Sequence, residues 1–145
     1  MKRLLVIEDG AEYVELARVF LRDLDVAAAQ SAAEALAAMR ARAADALLID
    51  LRFDRAPIEA LVGDVAATAA RLFAGDQARA LRYLQDEQGT LILGELRAAG
   101  FVQPALFVHD FAPRRLANLR RLYGAVDAVP ALDAATIRRL LVDRA

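Results

Sequence analysis

Two rhythms of apolar and polar residues alternate along this chain. Arg3–Ile7 (RLLVI), Ala46–Ile49 (ALLI) and Ala105–Val108 (ALFV) are short, nearly continuous apolar runs. Such runs predict strands covered on both faces. Residues 26–30 and 125–129 are weaker strand candidates, because they are rich in alanine, which has little β preference. Between the strands the apolar positions fall at helical spacing. Val14, Leu16, Ala17, Phe20, Leu21 and Leu24 mark a helix over 11–24. Ser31, with Glu34 three residues later, forms a capping box opening a helix to about residue 42. Leu116, Leu119, Leu122 and Tyr123 share a face over 114–123, and Asp133 caps a last helix that buries Ile137, Leu140 and Leu141. Strand–helix alternation of this kind predicts an α/β fold, with a parallel sheet wrapped by helices and joined by right-handed crossovers.

One segment breaks the rhythm. A single helix would normally join the third strand to the fourth, yet residues 56–100 lie between them. The pattern predicts a helix over 60–73, a turn at Gly75 and Asp76, and a second helical stretch over 77–99. Leu81, Leu84, Leu91 and Leu96 supply the stripe of that stretch, and Gly89 marks a break or joint inside it.

Composition narrows the class. The 145 residues predict one domain spanning 1–145, and 58% hydrophobic with 27% charged residues excludes a disordered chain. Nineteen basic residues nearly balance twenty acidic ones, so electrostatics give no reason to expect nucleic acid or a membrane surface as partner. The absence of cysteine excludes disulfides and thiolate chemistry. The apolar run at residues 4–7 is too short for export or for spanning a bilayer, which leaves a cytoplasmic location as the default expectation.

Acids sit where a parallel sheet places its ligands, beyond the carboxyl ends of the strands. Glu8 and Asp9 follow the first strand, Asp50 ends the third, and Asp54 lies four residues on. If the first and third strands are neighbours, three carboxylates converge, and their repulsion calls for a cation, a proton or separation. A hard ion such as Mg²⁺ suits oxygen ligands of this kind. The plain alternative is that these acids are solvated strand ends or helix caps.

LLVIEDG followed by a helix, and then DALLIDLR, resembles the receiver domain of two-component response regulators. The likeness continues through GELRAAGF, PALFVHD and GAVDAV, in order and at matching spacing. It covers nearly the whole chain except about 55–88, read as a helical insertion between the third strand and the family's third helix. The resemblance implies a flavodoxin-like, doubly wound five-stranded sheet in the order 2-1-3-4-5. It puts Asp50 at the phosphoacceptor position, and Glu8, Asp9, Asp50 and the Arg52 carbonyl at the Mg²⁺ positions. Partners would be other signalling proteins, a histidine kinase or a downstream effector, and a homodimer stays open.

The chain departs from the family where phosphorylation is read out. His109 stands at the Thr/Ser position that ends the fourth strand, Ala128 replaces the switching aromatic, and the lysine position falls at or next to Ala131. Lys2, the chain's one lysine, lies at the opposite end of the first strand, roughly 20 Å from Asp9 at ~3.3 Å per residue. Arg52, Arg55 and Arg114 are by position the available substitute cations, though a planar fork is a different reagent from an ammonium. Two readings of His109 stay open. Beside three carboxylates it would rise in pKa and donate to Asp50 as imidazolium, or it fills a strand-to-loop corner near Asp110.

Three functions compete. The first is an atypical, pseudo-receiver-like module acting through protein contacts. Its recognition surface would be the insertion or the helix carrying Arg114, Arg115, Arg120, Arg121 and Tyr123, whose arginines otherwise read as a solvated face. The second is a receiver phosphorylated on Asp50 with Mg²⁺ and an altered readout. A metal-dependent phosphohydrolase using Asp50 and Asp54 is third, because the DLRFD spacing does not suit a paired-Asp nucleophile. No enzymatic activity is expected beyond self-phosphorylation of Asp50.

Overall fold

The computed structural model describes residues 2–143. Five parallel strands, β1 (Arg3–Ile7), β2 (Asp25–Ala29), β3 (Ala46–Ile49), β4 (Ala105–Val108) and β5 (Val126–Val129), lie in the order β2-β1-β3-β4-β5. The order reverses between β1 and β3, which pair with Ile7 opposite Ile49. That register sets Glu8 beside Asp50 at the carboxyl edge of the sheet. The alanine-rich β2 forms at the edge through its ladder with β1, so pairing outweighs its poor intrinsic preference.

Side chains of β1 and β3 alternate into two cores. Leu4, Val6, Ala46 and Leu48 pack with Val14 and Ala17 of α1 (Glu12–Phe20) and with Ile137, in α7 (Ala134–Ile137). Leu5, Ile7, Leu47 and Ile49 pack on the other face. There they meet Ala35 and Met39 of α2 (Ala32–Ala41), Ile92, Leu93 and Leu96 of α5 (Gln88–Ala98), and Leu119 of α6 (Pro113–Tyr123). The result is the doubly wound, flavodoxin-like arrangement expected from the sequence.

Caps fix several boundaries. Ser31 accepts from the Glu34 amide, while the Glu34 carboxylate reaches back to the Gln30 amide, one residue beyond the N-cap amide that a strict capping box uses. Asp133 accepts from Ala135 and from the Thr136 hydroxyl, and the last helix continues as a π-helical turn over Arg138–Val142.

Four expectations need correction. The first helix stops at Phe20, not residue 24; Leu21 and Leu24 reach the core from the following turn, whereas Leu16 is exposed and Phe20 is 62% exposed. The helix predicted over 60–73 is a 3-10 turn at Ile58–Ala60 followed by α3 (Val65–Leu72). Gly63, at φ 106°, interrupts it, and Asp64 caps the new start by accepting from Ala67. The stretch over 77–99 is two helices, α4 (Gln77–Asp86) and α5, with the break at Glu87 rather than Gly89. Leu122 is 69% exposed, because α6 buries its other face through Leu119.

Gln88 explains how this segment is held to the domain. Its side chain is fully buried, its Oε1 accepts from the Val62 amide at 2.6 Å, and its Nε2 donates to the Val62 and Leu84 carbonyls. One amide side chain thus satisfies the backbone of a loop that has no ladder partner there.

Candidate functional site at the carboxyl edge of the sheet

Each acid at the carboxyl edge has a distinct local assignment. Glu8 is 2% exposed, and its two carboxylate oxygens accept from the Tyr13 and Val14 amides at 3.1 and 2.9 Å. It therefore caps α1, offering negative charge where the helix presents unpaired N–H groups. Burial nevertheless pushes its pKa up, with the Tyr13 and Val14 amides opposing that rise.

Asp9 faces Arg55. The Arg55 amide donates to one Asp9 oxygen at 2.8 Å, and its guanidinium donates to the other at 3.2 Å. The same guanidinium grips both oxygens of Glu12, at 2.8 and 3.2 Å, and holds that carboxyl down at about 2. A Cβ at Gly10 would overlap the Arg55 guanidinium and the Glu12 carboxylate, so the turn after β1 admits this fork because residue 10 is glycine.

Asp50 is half-buried, and its pKa is pushed up to about 6. Burial is the main cause and the Asp9 charge the next; the Arg52 and Leu51 amides oppose it. The Tyr13 phenol is pushed up to about 12, first by burial and then by Asp50 and Glu8. Tyr13 thus belongs to the surroundings of Asp50.

The segment carrying Asp50 packs tightly on the start of α5 and the end of α4. Gly89 donates to the Leu51 carbonyl at 2.8 Å, and Phe53 donates to the Gln85 carbonyl at 2.9 Å. A Cβ at Gly89 would overlap the Asp50 carbonyl oxygen and come within 2.9 Å of the Leu51 Cα. The sequence suggested a joint in a helix; the structure shows a close backbone approach.

The Mg²⁺ set implied by the resemblance is not assembled. Among the described residues, no group of three or more carboxylate or imidazole side chains is placed to hold a metal ion. The reason is local: α1 takes both oxygens of Glu8 and Arg55 takes both oxygens of Asp9, which leaves Asp50 without the acidic partners the set requires. These residues do not fit a divalent ion as they stand, and Asp54 is exposed.

His109 also departs from the imidazolium expectation. Its ring packs edge-on to Phe111, with centroids 4.7 Å apart, and Phe111 in turn packs on Phe107. Burial, Arg52 and Arg115 pull its pKa below the ordinary value, while the acids acting the other way are Glu87 and Asp110. An NMR titration of His109 should therefore give a midpoint below the ordinary 6.5. A value at or above 6.5 would restore the imidazolium. The other two positions that the resemblance implies for readout offer Asp50 no hydrogen-bonding side chain: Ala128 is half-buried in β5 and Ala131 is exposed beyond it.

The arginines of α6 divide. Arg115 forms an ion pair with Glu87, and Arg120 pairs with Asp127 at 2.6 Å. Arg114 and Arg121 are exposed, and the half-buried Tyr123 sets its phenol beside Gly94 of α5. Thr90, Leu91, Leu119 and Leu122 line a shallow groove between α5 and α6, with Arg114 and Arg115 at its edge. Among the described residues no helix is long and apolar enough to cross a membrane.

No family model matches the chain, and neither does any curated protein. Solved structures do. The receiver domain of NtrX from Brucella abortus superposes with a TM-score of 0.63 at 19% identity, over 97% of this chain and 95% of that one. The chemotaxis protein CheY4 of Vibrio cholerae gives 0.60 at 15% identity, over 97% and 99%. Against a longer NtrX chain from Brucella abortus the TM-score is 0.64 at 16% identity, and this chain spans about a quarter (26%) of its length. Five strands in the order 2-1-3-4-5, with helices on both faces, give this chain the fold of response-regulator receiver domains.

Proposed function

We propose that the chain is an atypical, receiver-like signalling module that works through protein–protein contacts, without conventional phosphorylation switching of Asp50. One observation carries the reading: the carboxyl ends of β4 and β5 offer Asp50 no hydroxyl, ammonium or imidazolium. His109 is turned into an aromatic cluster, and Ala128 and Ala131 carry no side-chain donor. A phosphoryl group on Asp50 would lack the donors that absorb its charge and relay its arrival. Output then comes from a surface that is present in one state. The exposed side of α6, with Arg114, Arg121 and Leu122 beside the α5–α6 groove, is the favoured one. The segment over 55–88, read as an insertion beside Asp50, is the other. Partners of this kind are a histidine kinase or a downstream effector.

A second reading has one observation in its favour. Asp50, with a pKa of about 6, is largely ionised above neutrality and remains a carboxylate nucleophile by protonation state. Incubation with Mg²⁺ and acetyl phosphate, followed by intact-mass measurement, separates the two. The expected result is no phosphoryl adduct. An adduct formed readily by the wild type and lost in Asp50→Asn would establish the phosphorylated receiver instead.

A further inference from the structure

We propose that Arg55 is the resident cation of the acidic pocket, holding Asp9 where a divalent ion would otherwise bind and keeping such ions out. The inference deepens the protein-contact reading, on which it rests for the role of the pocket.

The Asp9 side chain is only 2% exposed. A desolvated carboxylate beside two others is costly without a counter-charge held in good geometry. Arg55 supplies it twice, through its backbone amide and its guanidinium, so that both Asp9 oxygens are used. The remaining donors of the fork close on both oxygens of Glu12. A planar guanidinium meets two carboxylates in this way; an ammonium would not. The backbone is arranged for it on both sides. Residue 10 has no Cβ to obstruct the fork, and Phe53, fully buried two residues before Arg55, is tied to the Gln85 carbonyl.

Arg55 is a tethered ligand. A metal ion entering from solvent competes against a cation whose local concentration is fixed by three residues of chain from Arg52. It would also have to strip a backbone donor from Asp9, which no side-chain rotation of Arg55 achieves. The contact latches the segment after Asp50 to the turn between β1 and α1.

Mn²⁺ binding, followed through the EPR signal of the free ion, tests this on the wild type, Arg55→Gln, and Arg55→Gln combined with Asp9→Asn. The wild type should leave Mn²⁺ free, Arg55→Gln should bind one ion at least about tenfold more tightly, and the added Asp9→Asn should abolish the gain. Wild-type binding equal to that of Arg55→Gln, or no gain in Arg55→Gln, overturns the inference. If Arg55→Gln does not fold, paramagnetic broadening by Mn²⁺ in the wild type decides. Uniform, weak broadening supports a resident guanidinium, and selective broadening at the amides of Asp9 and Asp50 overturns it. Failure of the functional reading would look different: a phosphoryl adduct on wild-type Asp50, whatever the Mn²⁺ comparison gives.

Discussion

Replacing Gly89 by alanine is expected to destabilise the domain by about 2–3 kcal/mol, the range for overpacking against a rigid wall. The new methyl would overlap the Asp50 carbonyl oxygen and press on the Leu51 Cα, which are backbone atoms of a strand end and cannot swing aside. Ala is the better helix former by up to about 1 kcal/mol, so the loss must exceed that gain to be seen. Gly94→Ala in the same helix is the internal control. Its Cβ would meet the Tyr123 hydroxyl at 3.1 Å, the far end of a side chain that can shift. Urea denaturation of the two variants should differ clearly, with Gly94→Ala near neutral. Equal stabilities would mean that α5 does not approach Asp50 as closely as described.

Asp50→Asn is expected to stabilise the protein above neutral pH, with the effect fading in acid. Folding raises the Asp50 pKa from its ordinary 3.8 to about 6, mainly by burial and then by the Asp9 charge. Between those values the folded state holds more protons than the unfolded one, so stability falls as pH rises through the window and then levels off. Each pH unit of the window is worth about 1.4 kcal/mol, so its full width sets an upper bound of about 3 kcal/mol, which solvent screening of the half-buried carboxylate reduces. The amide has no charge to desolvate. The variant should therefore exceed the wild type by roughly 1–2 kcal/mol at about pH 8, a rise in Tm of roughly 2–8 °C, and converge with it near pH 4. Denaturation curves across that range provide the measurement. A wild-type advantage above neutrality would show Asp50 to be a stabilising charge, held by a cation rather than repelled by its neighbours.

Much of the fold was legible because it depends on burial periodicity. RLLVI, ALLI and ALFV can satisfy their side chains only between two layers, and the helical stripes between them supply those layers. Boundaries were legible where a side chain sets them, as at Ser31, Asp76 and Asp133. They were misplaced where a backbone event does: the left-handed turn at Gly63, or the break at Glu87, whose side chain caps nothing. The exposure of Leu16, Phe20 and Leu122 was also out of reach, since a helical stripe names a face without saying how far its neighbours extend over it.

At the candidate site the sequence pointed to the acids, and the resemblance to the substituted positions, but neither named their partners. Arg55 stood among the substitute cations by position alone, and its partners, Asp9 and Glu12, lie more than forty residues away along the chain. Gly89 gave a one-residue signal that only the neighbouring backbone of Asp50 and Leu51 could interpret.

By itself, then, the sequence determined which residues are buried in strands, the parallel α/β architecture, and the absence of a lysine or hydroxyl at the positions that the resemblance assigns to the switch. These are properties of side-chain type and spacing, which act locally. The tertiary structure alone decided that Glu8 serves α1, that Asp9 is held by Arg55, that His109 turns to Phe111 and that α5 presses on Asp50. Each of these is a choice among competing donors and acceptors brought together by long-range packing. A charge or a hydrogen bond takes the partner that the fold places nearest, and sequence spacing does not contain that distance.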